Sequence, residues 1–311
     1  MRLLSTIFTF AIILIGICEC ASAQRGGNTP RGWFDSAPSN TFWVDVGGAV
    51  FDRPEIDNRT ILLQDSVTNQ IFLTLGDVAD VNTSFGANVA LGGTNHWCGI
   101  WDAEASIVNW DSATSFSSPN LTSPFFDNAA INFASVETNS DLTSLEFNFK
   151  RPITRGLTLL AGPRYFRLEE QIDFTANAFM MGVNIGTQNE IRTTNSMIGA
   201  QIGAELRQQV SQSVFIRTHI KFAGFANRIE FSDQFSDTLG NSTVDERDGT
   251  AAAFIGETGG RLIWDIIPGA LQTYTGYEAT WLGLGNDEAG VTAAPDANFY
   301  HQILFGVTLS R

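Results

Sequence analysis

Three histidines are the natural starting point for chemistry, because acid–base or nucleophilic catalysis sets an imidazole beside a carboxylate or a nucleophile. His96 lies at a short turn, His301 falls on the apolar face of the last strand, and His219 stands between Arg217 and Lys221, whose charges favour the neutral imidazole. Their spacing supports no Ser/His/Asp arrangement, so they read as structural and no catalytic residue is expected. The acidic run Asp233, Asp237, Asp245, Glu246 and Asp248 carries carboxylates that suit Ca²⁺. It lacks EF-hand spacing and reads as a solvated loop, so neither a metal site nor a cofactor is expected. Cys98 is most simply a small core or lipid-facing residue.

More informative are charges that recur at alternate positions of apolar runs: Glu146, Lys150, Arg164, Glu205, Arg207, Arg217, His219, Lys221, Glu257, Arg261 and Glu278. In a strand, alternate side chains share a face, so all of these project to one side of a sheet. Two readings follow. They line a charged lumen that sets ion selectivity, or they form a solid plug of cross-strand ion pairs, as where about eight strands leave an interior just wide enough for side chains. The residues do not choose between them. Leu160 and Leu168 fall inward by the same count, which favours partial filling or a register change near Pro163.

The elements that must position these groups show the same alternation throughout. In the hairpin 144–170, Leu145, Phe147 and Phe149 oppose Ser144, Glu146, Asn148 and Lys150 across a tight turn at 151–156. Similar runs are Phe42–Val50, Phe85–Leu91, Trp97–Ile107, Ile198–Leu206, Val214–Phe222, Phe254–Trp264, Thr273–Trp281 and Phe299–Leu309. Short turns are expected at 93–95, near Ser211 and at Pro268-Gly269, and long polar connections at 52–80, 111–140, 231–249 and 284–297, with a medium loop through Met181 and Asn184. The first connection contains a candidate hairpin, Ile61–Leu63 with Ile71–Leu73. The pattern predicts an all-β, antiparallel, up-and-down transmembrane barrel of about ten strands, in a range of about eight to fourteen. Trp43, Trp97, Trp110, Trp264 and Trp281 are expected at interfacial girdles.

Arg2, the apolar run Ile7–Ile17 and Ala21-Ser22-Ala23 have the parts of a cleaved signal peptide over 1–23, followed by a flexible lead-in, 24–40, and a barrel over 41–311. The apolar run is shorter than the roughly 20 residues of a spanning helix, so insertion must be by strands. With the leader carrying Cys18 and Cys20 removed, Cys98 remains and no disulfide framework exists. Twenty-nine glycines, 24 phenylalanines and 16% charged residues fit a barrel that is apolar outside and polar inside. A formal charge of −15 argues against nucleic acid as a partner and predicts a mild cation preference.

The core Leu159-Leu160-Ala161-Gly162-Pro163-Arg164-Tyr165-Phe166-Arg167-Leu168-Glu169-Glu170 resembles the outer-membrane β-barrel porin family common in planctomycetes, related to the Legionella-type major outer-membrane pore-forming proteins. The resemblance extends to 195–206, Ala253-Phe254-Ile255-Gly256-Glu257 and Tyr300–Gly306. It implies a pore-forming barrel in the bacterial outer membrane and supplies no catalytic residues. The chain departs from such barrels in ending Leu309-Ser310-Arg311, where an aromatic residue read by the insertion machinery is usual.

The expected function is therefore passive diffusion of small hydrophilic solutes or ions, with outer-membrane lipid and the insertion machinery as partners. The alternatives are a closed structural or adhesion barrel acting through its extracellular loops, and a secreted soluble β-sandwich.

Overall fold

A computed structural model describes residues 42–52, 61–65, 71–74, 84–97, 101–123, 129–154, 156–180, 183–284 and 298–311. The signal-peptide and lead-in expectations, 1–40, and Cys98 lie outside these residues. The described residues form twelve strands: β1 Phe42–Asp52, β2 Ile61–Asp65, β3 Ile71–Thr74, β4 Ser84–Trp97, β5 Trp101–Ser123, β6 Ala129–Pro152, β7 Leu157–Met180, β8 Val183–Gln209, β9 Val214–Asp237, β10 Ser242–Ile267, β11 Leu271–Leu284 and β12 Asn298–Ser310. Ten of them close a cylinder, each antiparallel to its neighbour, because β1 pairs with both β4 and β12. The β2–β3 hairpin stands aside and touches the upper end of β5 through Gln64 opposite Thr122 and Asp65 opposite Leu121. A single closed sheet replaces the two stacked sheets that the β-sandwich alternative requires.

The stagger follows from the pairing. From Ser310 through Trp43, Gly92, Glu104, across β6 and β7, then Gln201, Ala223, Ile255 and Leu282, the path returns to β12 at Asn298, 12 residues from where it began. A shear of 12 on ten strands tilts them by about 40° and sets a backbone diameter of about 20 Å. Facing side chains then meet near the axis.

Outside, alternate positions present an apolar belt. Phe85 is 72% exposed and Ile198 69%, and Val46, Ile202, Ile220, Phe222, Ile303 and Phe305 are exposed with them. Hydrocarbon, not water, suits such a surface, and the chain is a membrane-spanning barrel. The belt ends along one paired row, Tyr165, Ile198, Ala226 and Ala252. The next outward residues are Arg167, Ser196, Arg228 and Thr250.

A membrane strand needs about 9–11 residues. β1, β4, β11 and β12 have 11 to 14, whereas β5 to β10 have 23 to 27. The hairpins β5–β6, β7–β8 and β9–β10 therefore stand well beyond the belt. This corrects the expected long loops at 111–140 and 231–249 and the medium loop through Met181: most of the described residues there are strand, and a tight turn at 238–241 joins β9 to β10. The expected turn at 93–95 also lies within β4, which runs on to Trp97. No register change occurs at Pro163, since Glu146–Arg164 and Phe149–Ala161 keep one register.

Candidate functional site

The inner face of the barrel gathers the charged residues, and pairing places them at defined heights. Nearest the short-turn end, Lys150 Nζ lies 2.7 Å from Glu104 Oε2 and 2.8 Å from Glu205 Oε1, joining β6 to β5 and β8. On the opposite wall Asp45 accepts hydrogen bonds from the Tyr274 hydroxyl at 2.7 Å and the Thr308 hydroxyl at 2.8 Å.

One layer further in, four charges close a ring of alternating sign. Arg164 reaches Glu146 at 3.1 Å and Glu257 at 3.0 Å, and Lys221 reaches Glu146 at 3.1 Å and Glu257 at 2.7 Å. Gln201 braces the ring by donating to Glu146 at 2.9 Å and to Asn148 Oδ1 at 2.7 Å, while its own oxygen accepts from Arg164 at 3.2 Å. Glu146, Arg164 and Glu257 are buried, so each charge relies on its partners in place of water.

His219 does not answer to the neighbours in sequence that suggested a neutral ring. Its Nε2 lies 3.1 Å from Glu278 Oε2 and 3.4 Å from Glu257 Oε1, so carboxylates from β11 and β10 face it. Gln302 donates to the other oxygen of Glu278. His219, Glu257 and Glu278 bring ligand-type atoms within 4.8 Å of one another, as no other group does among the described residues. Lys221 and Arg164 already compensate Glu257, so this donor set has little negative charge left for a divalent cation. His301 lies on the outer wall, in contact with Tyr277 and packed edge-on against Phe299.

Beyond the ring the interior turns apolar. Phe51, Trp110, Leu142, Phe166, Leu168, Met197, Phe225, Ile255, Leu282 and Tyr300 are buried together, with Trp110 packed between the tilted rings of Phe51 and Tyr300 at centroid distances of 5.3 and 6.1 Å. This layer lies level with the outer edge of the lipid belt, as Phe166 adjoins Tyr165. Trp110 is 2% exposed, which corrects its expected place in an interfacial girdle. Trp43 also turns inward, lining the interior cavity, whereas Trp264 and Trp281 are exposed on the outside. Leu160 and Leu168 are both buried, so partial filling accounts for their inward position.

Of the eleven residues expected to face the lumen, Glu146, Lys150, Arg164, Glu205, Lys221, His219, Glu257 and Glu278 join this network. Arg207, Arg217 and Arg261 lie on the same face near the short-turn end without entering it. Arg207 stacks over Phe215 at 4.3 Å and Arg261 over Tyr274 at 4.9 Å. Gln201, Asn148, Asp45, Glu104 and Gln302 also belong to the interior; their opposition to apolar neighbours was a usable signal for Asp45 and Glu104. A cavity of about 90 Å³ remains beside the network, room for a few waters.

The sequence matches no family model and no curated protein. Among solved structures the fold is similar to the translocator domain of the autotransporter NalP from Neisseria meningitidis, with TM-score 0.43, 10% identity, and 98% of this chain and 97% of that one covered. It is also similar to the outer membrane protease OmpT from Escherichia coli, at 0.40, 9%, 88% and 96%, and to the Pseudomonas putida toluene transporter TodX, at 0.37, 12%, 93% and 95%. These are likenesses in barrel architecture.

Proposed function

We propose that this chain is an outer-membrane barrel of a bacterial envelope that is closed to bulk diffusion and works through the rim formed by its three tall hairpins. The observation that carries this reading is the filled interior. A compensated ring of Glu146, Arg164, Glu257 and Lys221 occupies the mid-height, and an apolar layer around Phe166, Leu168 and Met197 lies between it and the hairpin end. Selectivity filters use rings of one sign; here opposite charges alternate and cancel. The hairpins, by contrast, carry Arg167, Glu169, Arg192, Arg228 and Glu230 on outward faces above the lipid belt. We place the short-turn end in the periplasm and the hairpins outside the cell, the sidedness general for bacterial barrels.

The pore reading of the sequence is the second proposal, favoured by the charged walls of the interior cavity. Planar-bilayer recordings on protein that shows heat-modifiable gel migration separate the two. A closed barrel leaves the bilayer silent, whereas discrete conductance steps of porin size would overturn that assignment and restore passive diffusion. For the closed barrel, a deletion strain should keep normal solute uptake and change its surface contacts.

A further inference from the structure

Arg207, Arg217 and Arg261 stand side by side on β8, β9 and β10, in direct register: Arg207 opposite Arg217, and Arg217 opposite Arg261. Directly opposed like charges have Cβ atoms about 4.5–5.5 Å apart and destabilise a sheet. A structural role would call for interleaved acids. Instead, among the described residues none of the three guanidiniums has a carboxylate within 4.0 Å. The neighbouring carboxylates are engaged elsewhere: Glu205 and Glu104 by Lys150, Asp45 by Tyr274 and Thr308, Glu278 by Gln302 and His219, and Asp265 by Gln272.

The row also has depth. Arg207 is exposed beside the short-turn mouth, and Arg217 and Arg261 are half-buried further in. Both deeper residues line the cavity of about 90 Å³. The Arg261 Nε is fully buried and lacks a hydrogen-bond partner, a donor left over that costs free energy unless something accepts from it. Arg207 lies over the Phe215 ring and Arg261 over the Tyr274 ring, and among the described residues neither guanidinium donates a hydrogen bond. Planar forks presented edge-on match oxyanions, bidentately and with charge assistance.

We propose that Arg207, Arg217 and Arg261 form a binding site for a phosphate-type oxyanion, entered from the short-turn mouth of the barrel. The anion gives the row a counter-ion in direct contact and accepts from the buried Arg261 edge. Its head group, free or borne by an ester whose remainder projects out of the mouth, is what the site recognises. The site is independent of whether the barrel conducts, and it runs against the cation preference expected from net charge, because among the described residues no acid contacts the three guanidiniums directly.

Full-length protein folded in detergent would be heated in chloride, inorganic phosphate and phenyl phosphate at matched ionic strength, following the conversion from compact to unfolded gel migration. The midpoint should rise with phosphate and not with chloride. A matching rise with phenyl phosphate identifies the oxyanion head of a larger molecule; a rise with phosphate alone identifies the free ion. Arg217→Gln and Arg261→Gln should abolish the response, and Arg217→Lys, which keeps the charge but loses the fork, should need at least tenfold more phosphate. Arg228→Gln, on the outer rim, should respond as the parent does. In chloride alone Arg217→Gln should melt higher than the parent, since repulsion is relieved. Equal shifts in chloride and phosphate, or a phosphate response retained in Arg217→Gln, would overturn the site.

Discussion

Arg164 on β7 and Glu257 on β10 are 93 positions apart in the chain and meet at 3.0 Å inside the barrel, three strands from one another. No ladder hydrogen bond connects these strands. The contact exists because closing the sheet with a shear of 12 brings the two side chains to one height and one side of the axis. The same geometry delivers Glu146 and Lys221, and the four charges then hold the wall at mid-height.

Removing one member of a buried ion pair strands the other, at about 3–5 kcal/mol. Glu257→Gln should therefore lower stability by about that amount, since Arg164 and Lys221 both lose a counter-charge. Replacing Arg164 and Glu257 together by methionine should cost less than the two single changes combined. Denaturant midpoints of detergent-folded protein give the numbers; a loss under about 1 kcal/mol for Glu257→Gln would mean that water already satisfies the ring.

Gly162 lies where a Cβ would fall 1.8 Å from the Phe147 carbonyl oxygen of the neighbouring strand. Backbone cannot step aside as a flexible side chain can. Gly162→Ala should lose at least about 1–3 kcal/mol, the range for overpacking, or fail to reach the compact gel form. Gly224, with nothing within 4 Å of its virtual Cβ, is the matched control, and Gly224→Ala should fold as the parent does.

Much of this was legible in period-two alternation, because a strand with lipid on one side and protein on the other must alternate. The inward set on β9, Arg217, His219 and Lys221, can be read from the sequence alone. Height cannot, and height decides that His219 meets Glu278 and Glu257 while Arg217 meets two arginines. The apolar layer was hidden for a related reason: Met197 and Ile255 are hydrophobic and inward, where alternation assigns such residues to lipid. The tall hairpins were hidden because strands that rise above the belt, such as 231–237 and 242–250, are polar at all but Phe231, Phe235 and Val244 and look like loop.

Asp141 stands above the lipid belt in one paired row with Asp111 and Glu169. Partial burial, then the Asp111 and Glu169 carboxylates, push its pKa up from the ordinary aspartate value. A carboxyl that holds its proton more tightly when folded adds stability at low pH and loses that contribution as pH rises from the ordinary value through the raised one. Asp141→Asn should therefore stabilise the protein at neutral pH, by no more than about 0.5 kcal/mol at so open a site, and flatten the acid limb of the stability profile. Denaturant midpoints between pH 3 and 7 test it, with ~ four evenly spaced buffers sufficient to define the slope; an unchanged profile would show that the row does not couple.

The apolar layer offers the sharpest link between structure and conduction. Leu168 is wholly buried in it, among Phe166, Met197 and Leu282, and the polar network below is spacious enough to hold water. A wet network capped by hydrocarbon blocks ions because water must be stripped to cross the cap, the principle of a hydrophobic gate. Leu168→Asn keeps the branched shape and heavy-atom count of the side chain and places two donors and an acceptor in the cap. It should cost about 1–3 kcal/mol from the buried amide and, where the parent is silent, introduce small conductance steps in planar bilayers. Phe166→Ala should do the same by opening space without hydrating the cap directly, and so should conduct less often than Leu168→Asn. If both variants fold and remain silent, the barrier lies in the ion-pair ring, and combining Leu168→Asn with Glu257→Gln should then be the first change to pass current.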